Sequence, residues 1–269
     1  MAIVLGIDVG GSTTKIVGLK DHKCFATLQV RAADQVTSMY GAIGNLLSEH
    51  KLGLGDVSAI YLTGVGASFI DEQVYGIKTH KENEFNAIGR GALRLTGLSE
   101  ALVISMGTGT AFVKAEKGEV THLGGSGVGG GSILGLASQM LGKSDIDAIL
   151  SLAEKGNLKN IDLSVSDILG TKVQSLPFNL TAANFGKVKS TASDSDIALG
   201  IINMVFETAG MLAVFALKNE PIKDVVLTGT LATFPQAKTV MAKFEKLVGL
   251  KFTIPQGAVF ATALGAIEI

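Results

Sequence analysis

An acid, two glycines, three hydroxyl residues and a lysine lie close together near the start of the sequence. Asp8 ends a short apolar run, and residues 10–15 read GGSTTK. Adjacent glycines allow a tight turn and a close approach of the backbone to a ligand. A carboxylate, backbone N–H groups and a lysine suit a metal–phosphate group. An ordinary hairpin turn would explain the glycines alone, so their polar neighbours are what favour phosphate binding.

The same arrangement recurs in the middle of the chain. Residues 101–113 (ALVISMGTGTAFV) combine an apolar run, a glycine–threonine turn at 107–110 and a second apolar run. Two copies of strand, phosphate turn and strand predict two related lobes that face one nucleotide, with a boundary near residue 98.

A third glycine-rich stretch covers residues 122–132 (HLGGSGVGGGS), which contain six glycines. An apolar pattern with helical spacing follows at once. Glycines that open a helix can form an anion and nucleotide cradle. A flexible linker is the alternative, but linkers rarely run straight into an apolar helix.

Further segments contain candidate residues for the same binding site. The pattern of residues 82–95 predicts a helix with Asn83 as a possible cap and Glu84 in its first turn. By itself, a glutamate there usually complements the helix dipole. The strand predicted at 57–63 ends in a glycine turn at Thr63, Gly64, Val65 and Gly66, and ligands gather at such strand ends in open α/β sheets. The run 225–227 predicts a strand that ends in Thr228, Gly229 and Thr230.

The remaining pattern alternates strands and helices, which predicts an α/β fold. Further strands are predicted at 25–30, 57–63 and 251–254. Helices are predicted at 38–50, 144–154, 196–217, 235–248 and 258–267, and segment 162–174 is mixed. The stretch 199–217 is the most membrane-like, but it contains Asn203 and Glu207, so we expect a buried helix.

Composition narrows the class of protein. Of the 269 residues, 47% are hydrophobic and 17% charged, and the formal net charge is −1. We therefore expect a globular protein without nucleic-acid or membrane partners. The single cysteine, Cys24, excludes a disulfide or a cysteine-rich metal site within one chain, which fits a reducing cytoplasm. We expect Cys24 to be buried, no signal peptide at the start, and His22, His50 and His80 at the surface.

The order IDVGGSTTK, MGTGT, GGSGVGGGS and LTGT resembles the actin-like, sugar-kinase and heat-shock ATPase superfamily. Within it, the whole chain resembles type II pantothenate kinases, which also match at residues 83–85 (NEF) and 180–186 (LTAANFG). The resemblance implies two ribonuclease H-like lobes, residues 1–98 and 99–269, with the nucleotide site in the cleft between them. We expect the LTAANFG segment to be structural, packing a loop at the lobe or dimer interface, with no chemical role.

The resemblance also implies an activity and the residues that carry it. The activity is phosphorylation of pantothenate by ATP with Mg²⁺, the first step of coenzyme A synthesis, by a cytoplasmic homodimer. Glu84 matches the catalytic base, and Asp8 lies near the metal. The acceptor would contact Glu84, Thr108, His122 and Gly124. The positions that match ATP contacts are Asp8, Val9, Gly10, Gly11, Ser12, Thr13, Thr14, Lys15, Thr108, Gly109, Gly130, Gly131, Ser132, Ile133, Leu134 and Thr230.

One position departs from the family pattern. Many members have an arginine that contacts pantothenate where this chain has His122. A histidine can donate a hydrogen bond but cannot make the bidentate contact of an arginine. The alternatives are therefore a sugar or N-acetyl-sugar kinase of the same superfamily and a non-enzymatic nucleotide-dependent sensor or scaffold.

An activator of radical dehydratases would need four cysteine ligands for its iron–sulfur cluster, which one cysteine per subunit cannot supply.

Overall fold

The computed structural model describes residues 3–32, 34–70, 73–116, 118–169 and 180–268. Its first sheet has six strands in the order β3-β2-β1-β4-β6-β5. Strand β1 pairs antiparallel with β2 and parallel with β4. Helix α1 covers one face and buries its apolar side in the core. The elements are β1 (Ile3–Val9), β2 (Thr13–Lys20), β3 (Lys23–Arg31), α1 (Gln35–Glu49), β4 (Val57–Thr63), β5 (Gln73–Val74) and β6 (Ile77–Lys81).

The second sheet repeats this arrangement in five strands, in the order β13-β12-β7-β8-β9. Strand β7 pairs antiparallel with β8 and parallel with β12. The repeat predicted from the two glycine turns is therefore a repeat of strand order. The strands are β7 (Glu100–Met106), β8 (Thr110–Glu116), β9 (Glu119–Ser126), β12 (Asp224–Thr228) and β13 (Lys251–Thr253). The two-lobed α/β fold expected from the sequence is confirmed.

Helices pack around the second sheet and build its core. They are α3 (Gly130–Leu141), α4 (Ile146–Ala153), α6 (Asp194–Ala216) and α7 (Pro235–Val248). A small two-stranded sheet of β10 (Leu163–Ser164) and β11 (Thr181–Ala183) lies beside the short helix α5 (Val165–Leu169). The part of the mixed segment 162–174 after residue 169 lies outside the described residues.

Two helices connect the sheets. Helix α2 (Glu84–Thr96) packs on β7, β8, β9 and β12, whereas α8 (Ala261–Ala266) packs on β1, β2 and β4. The two helices also contact each other closely, with Gly91 of α2 against α8 and Gly265 of α8 against α2. The lobe boundary at residue 98 falls in the turn between α2 and β7 and stays a prediction.

Helix α6 is long and apolar enough to span a membrane by length and composition. In the structure it packs against α3, α4 and α7. Eleven of its residues are buried, among them Phe206 and Asn203. Ser193 caps it and accepts a hydrogen bond from the Asp196 N–H. The prediction of a buried helix is confirmed.

The sequence patterns did not predict strand β9 (residues 119–126), which overlaps the glycine-rich stretch; pairing with β8 compensates for the weak strand preference of its glycines. Cys24 is exposed rather than buried. It lies at the start of β3, next to the turn from β2, where the strand is open to solvent.

Candidate active site

Asp8 and Lys15 form a buried ion pair at the end of the first hairpin. They are opposite each other in the β1–β2 register, and the Lys15 Nζ lies 3.4 Å from the Asp8 Oδ2. Each side chain is 9% exposed. Burial raises the pKa of the Asp8 carboxyl, and the Lys15 ammonium opposes that rise. Lys15 is therefore not a solvated charge on the strand surface.

The first glycine turn is closed by its own backbone. The Gly10 N–H donates to the Thr13 carbonyl over 3.1 Å, and the Ser12 carbonyl accepts from the Ala32 N–H. Val9 and Thr14 are fully buried, so their side chains lie in the core and not at the surface of the cleft. This places the exposed part of the turn at Gly11 and Ser12.

The neighbouring strand β4 ends beside Asp8. Thr63 pairs with Asp8 across β1 and β4, and its buried hydroxyl has no hydrogen-bond partner among the described residues. Gly64 follows at φ +88°, and a Cβ there would lie 2.6 Å from the Asp8 Oδ1. Glycine is therefore required at this position, both for its backbone angle and for space. The sequence pattern identified this turn but not its contact with Asp8.

The second glycine turn is held by the glycine stretch that opens α3. The Gly130 N–H donates to the Gly107 carbonyl and the Gly131 N–H to the Thr108 carbonyl, each over 2.9 Å. A Cβ on Gly129 would lie 2.7 Å from the Cα of Gly109. The glycines thus bring the start of α3 against the turn. The N–H groups of Gly130 and Gly131, which were expected to bind a phosphate, donate instead to carbonyls of the protein.

The other predicted residues of this stretch lie on different faces of α3. Ile133 is fully buried in the core, so the structure does not bring its side chain to the cleft. Leu134 is 37% exposed. The Ser132 hydroxyl donates to the Gly127 carbonyl, which stabilises the helix start. Thr230 is half-buried and follows Gly229, which packs against Met106 at the end of β7.

The two glycine turns meet. The Ser12 Oγ and the Thr108 Oγ1 lie 3.0 Å apart and form a hydrogen bond, although they are separated by 96 positions in sequence. Both residues are exposed. The paired turns predicted from the repeat are therefore brought together at one point between the two sheets.

Glu84 is brought to the same region by α2. It is the first residue of the helix, and the Asn83 side chain caps it by accepting from the N–H groups of Phe85 and Asn86. Burial raises the pKa of Glu84, the charge of Asp8 raises it further, and Lys15 lowers it. This interaction means that Glu84 lies within charge–charge range of the Asp8–Lys15 pair.

His122 lies on β9, beside the helix that carries Glu84. Its ring stacks on that of Phe85, with the centroids 3.7 Å apart and the planes 9° from parallel. The pairing of β8 with β9 skips Leu123, since Phe112 pairs with Gly124 and Val113 with His122. Gly124, which has φ +148°, lies at this irregularity, two residues after His122.

The residues around Asp8 fit a hard cation such as Mg²⁺. Asp8 offers a buried carboxylate, and Thr63 offers a buried hydroxyl without a partner among the described residues. Within the described part of the chain, no group of three His, Cys, Asp or Glu side chains could hold a metal by itself. Mg²⁺ is commonly bound by one or two carboxylates together with waters and substrate phosphates, which this donor set allows.

Comparison with curated proteins identifies relatives along nearly the whole chain. A type II pantothenate kinase of Staphylococcus epidermidis is 28% identical over 98% of this chain and 99% of the relative. One of Bacillus cereus is 25% identical over 91% of this chain and 90% of the relative. The resemblance inferred from the motifs is confirmed.

Solved structures share the fold. The activator of 2-hydroxyisocaproyl-CoA dehydratase from Clostridium difficile, with bound ADPNP, has a TM-score of 0.71 and 17% identity over 98% of this chain and 92% of its own. A ROK family glucokinase from Streptomyces griseus, in complex with glucose and AMPPNP, has a TM-score of 0.63 and 14% identity over 98% of both chains. At these identities the likeness establishes the fold alone. Residues 98–243, more than half of the chain, match the family model Fumble, and the chain therefore belongs to the Fumble family.

Proposed function

We propose that this protein is an ATP-dependent kinase that phosphorylates the primary hydroxyl of pantothenate. Relatives named type II pantothenate kinase align along 91% to 98% of the chain. The observation that carries the proposal is the meeting of the two glycine turns at the Ser12–Thr108 hydrogen bond, with Glu84 within charge range of Asp8. Two phosphate-binding turns, a metal-binding carboxylate and a base are the groups that phosphoryl transfer to an alcohol requires.

In this proposal the two turns hold the phosphates of ATP between the sheets. Backbone N–H groups and hydroxyls within residues 10–13 and 108–109, apart from the Gly10 N–H that is engaged with Thr13, donate to the phosphate oxygens. Asp8 holds Mg²⁺ directly or through water, with Thr63 beside it. The metal supplies positive charge that offsets the charge developing on the transferred phosphoryl group. Leu134 and Thr230 border the nucleotide, and Gly130 and Gly131 act indirectly by holding the Thr108 turn.

Glu84 is the general base. A carboxylate that is partly desolvated binds a proton more readily than an exposed one, and both burial and the charge of Asp8 raise its pKa. Its place at the start of α2 leaves the side chain in front of the first turn rather than in the core. There it would accept the proton of the acceptor's hydroxyl as the oxygen attacks the γ-phosphorus.

The acceptor lies between Glu84, Thr108 and the His122–Gly124 segment. Phe85 holds the His122 ring flat against it, so the ring nitrogens lie at the edge of the stack, available for hydrogen bonds. Gly124 has no side chain to narrow the space beside it. One hydrogen bond from an imidazole would replace the two that an arginine makes to a carboxylate.

We also propose a cytoplasmic homodimer. Met211 and Phe215 lie one turn apart on α6 and are 38% and 65% exposed, which is an apolar surface suited to a second copy. The net charge of −1 offers no general attraction to nucleic acid or to anionic membranes.

The first experiment measures ADP release by purified protein with Mg-ATP and one acceptor at a time. The acceptors are pantothenate, a panel of sugars and N-acetyl sugars, and none. Stimulation by pantothenate alone, with phosphopantothenate detected by mass spectrometry, is the expected result. Stimulation by a sugar would support the alternative sugar kinase, with His122 at the arginine position as the reason. Nucleotide binding without turnover on any acceptor would favour a sensor or scaffold.

The second experiment tests the base. Glu84→Gln is expected to keep ATP affinity, measured by calorimetry, and to lower kcat by about 10²- to 10⁴-fold, because general base catalysis is lost while the shape is kept. Glu119→Gln, at an exposed position on β9, is the matched control and should leave kcat unchanged. An unchanged kcat in Glu84→Gln would remove Glu84 from the mechanism.

A further inference from the structure

The Asp8–Lys15 pair raises a question about the order in which metal and nucleotide bind. The Lys15 Nζ lies 3.4 Å from Asp8 Oδ2. Among the described residues, Asp8 is the one carboxylate within 4.0 Å of that ammonium group. Lys15 follows the first glycine turn, and its side chain reaches across the hairpin to Asp8. The site therefore already contains a cation where the metal is expected.

A buried carboxylate without a counter-ion is costly, and a partner that satisfies it is strongly held. Lys15 supplies that partner in the protein without ligand. A divalent cation that binds Asp8 must displace the ammonium or share the carboxylate with it, and the two positive charges repel each other. Mg²⁺ also gives up its own water reluctantly. Lys15 and a free metal ion thus compete for the same oxygens.

The surroundings offer the ammonium group a second partner. Residues 10–13, which we propose hold phosphate, lie just before Lys15 on the same hairpin. A lysine is a compact charge with three donors on a flexible four-carbon stem, so it can turn from Asp8 to a phosphate oxygen without movement of β2. The charges of both Asp8 and Lys15 shift the pKa of Glu84, so these three side chains are electrostatically coupled.

We propose that Lys15 is a resident counter-ion that occupies Asp8 in the nucleotide-free protein, disfavours binding of free divalent cations, and transfers its contact to phosphate when the metal arrives with ATP. This inference rests on the proposed function for the presence of a metal–nucleotide complex. It makes the metal–nucleotide complex the species that binds, with Lys15 as a positioning residue for that order of binding.

The test measures Mn²⁺ binding to nucleotide-free protein by electron paramagnetic resonance, with Mn²⁺ in place of Mg²⁺. Lys15→Met, which keeps most of the side-chain volume, is expected to bind Mn²⁺ about tenfold more tightly than wild type, because the competing charge is gone. Lys20→Met, at the exposed end of the same strand, is the control and should match wild type. Asp8→Asn in the Lys15→Met background should abolish the gained binding.

Equal Mn²⁺ affinity in Lys15→Met and wild type would overturn the proposal and leave the pair a purely structural one. If Lys15→Met does not fold, the affinity of nucleotide-free wild type for Mn²⁺ tests the proposal. Micromolar Mn²⁺ binding by nucleotide-free wild type that is lost in Asp8→Asn would contradict competition, whereas millimolar or weaker binding supports it. No acceptor and no turnover enter this measurement, so its failure is distinguishable from failure of the pantothenate assignment.

Discussion

The contact between α2 and α8 is expected to set the position of Glu84, the proposed catalytic base, and Gly91→Ala tests this. Gly91 lies against the backbone of α8, and a Cβ there would be 1.8 Å from the Ala261 carbonyl oxygen. The reciprocal Gly265 would place a Cβ 2.0 Å from the Ala87 carbonyl oxygen. Ordinary contacts of this kind begin at 3.4 Å. Because the clashing atoms are backbone, no rotamer change can relieve the overlap.

The helices must therefore separate by about 1.6 Å, the difference between 3.4 Å and 1.8 Å. Glu84 lies two turns before Gly91 on α2, which packs on the second sheet, whereas Asp8 belongs to the first sheet. Separation of α2 from α8 is thus expected to move Glu84 away from Asp8. A misplacement of about 1 Å can cost about 100-fold in rate, so kcat is expected to fall by about that factor.

Overpacking typically costs about 1–3 kcal/mol of stability, against a gain of about 1 kcal/mol from the better helix propensity of alanine. The control is Gly44→Ala in α1, where a Cβ would meet nothing within 4 Å. It should be neutral or stabilising, with wild-type kcat. Urea unfolding gives the free energy of unfolding, and ADP release at saturating acceptor gives kcat. A folded Gly91→Ala protein with kcat within about threefold of wild type would refute the positioning role of this contact.

Three further predictions follow from the same structure. The apparent pKa of the acidic limb in the pH profile of kcat/KM should lie above the ordinary glutamate pKa of about 4.3, because burial and the Asp8 charge raise the pKa of Glu84. An apparent pKa at or below that value would contradict the assignment of Glu84 as the base. Asp196→Asn should lower the free energy of unfolding at pH 7 by about 2 kcal/mol. Hydrogen bonds from Ser193, Asn157 and Asn160 lower the pKa of Asp196 to about 2, so this stabilisation is present above pH 4 and is lost as the pH falls towards 2. If the destabilisation by Asp196→Asn does not shrink below pH 4 in urea titrations, this account is wrong. His122→Arg should lower the KM for pantothenate by about tenfold, because a bidentate contact replaces a single hydrogen bond; an unchanged KM would place the carboxylate elsewhere.

The LTAANFG segment illustrates a feature whose pattern is visible but whose role is not. Its Asn184 amide and Thr181 hydroxyl donate to Glu207 of α6, and the Phe185 N–H donates to the buried Asp162. Burial raises the pKa of Asp162, and the Phe185 N–H opposes that rise. Partly buried polar contacts between positions 23 to 26 apart thus hold the segment to Glu207 and Asp162, and no local pattern could reveal them. Its expected structural role agrees with these contacts.

Local patterns predicted most of the strands and helices of this protein. Apolar runs, caps and glycine turns act within a few residues, so the cap at Asn83 and the turn at 107–110 could be predicted directly. Strand β9 was missed because its pairing with β8 outweighs the low strand preference of glycine.

Contacts between distant residues were decided by tertiary structure alone. The sequence identified Asp8, Lys15 and Glu84 as separate candidates, but only the fold pairs the first two and brings α2 beside them. It likewise buries Ile133, stacks His122 on Phe85 and engages the N–H groups of Gly130 and Gly131 within the protein. The physical reason is that backbone preferences act over a few residues, whereas charge, burial and packing depend on which surfaces the two sheets bring together.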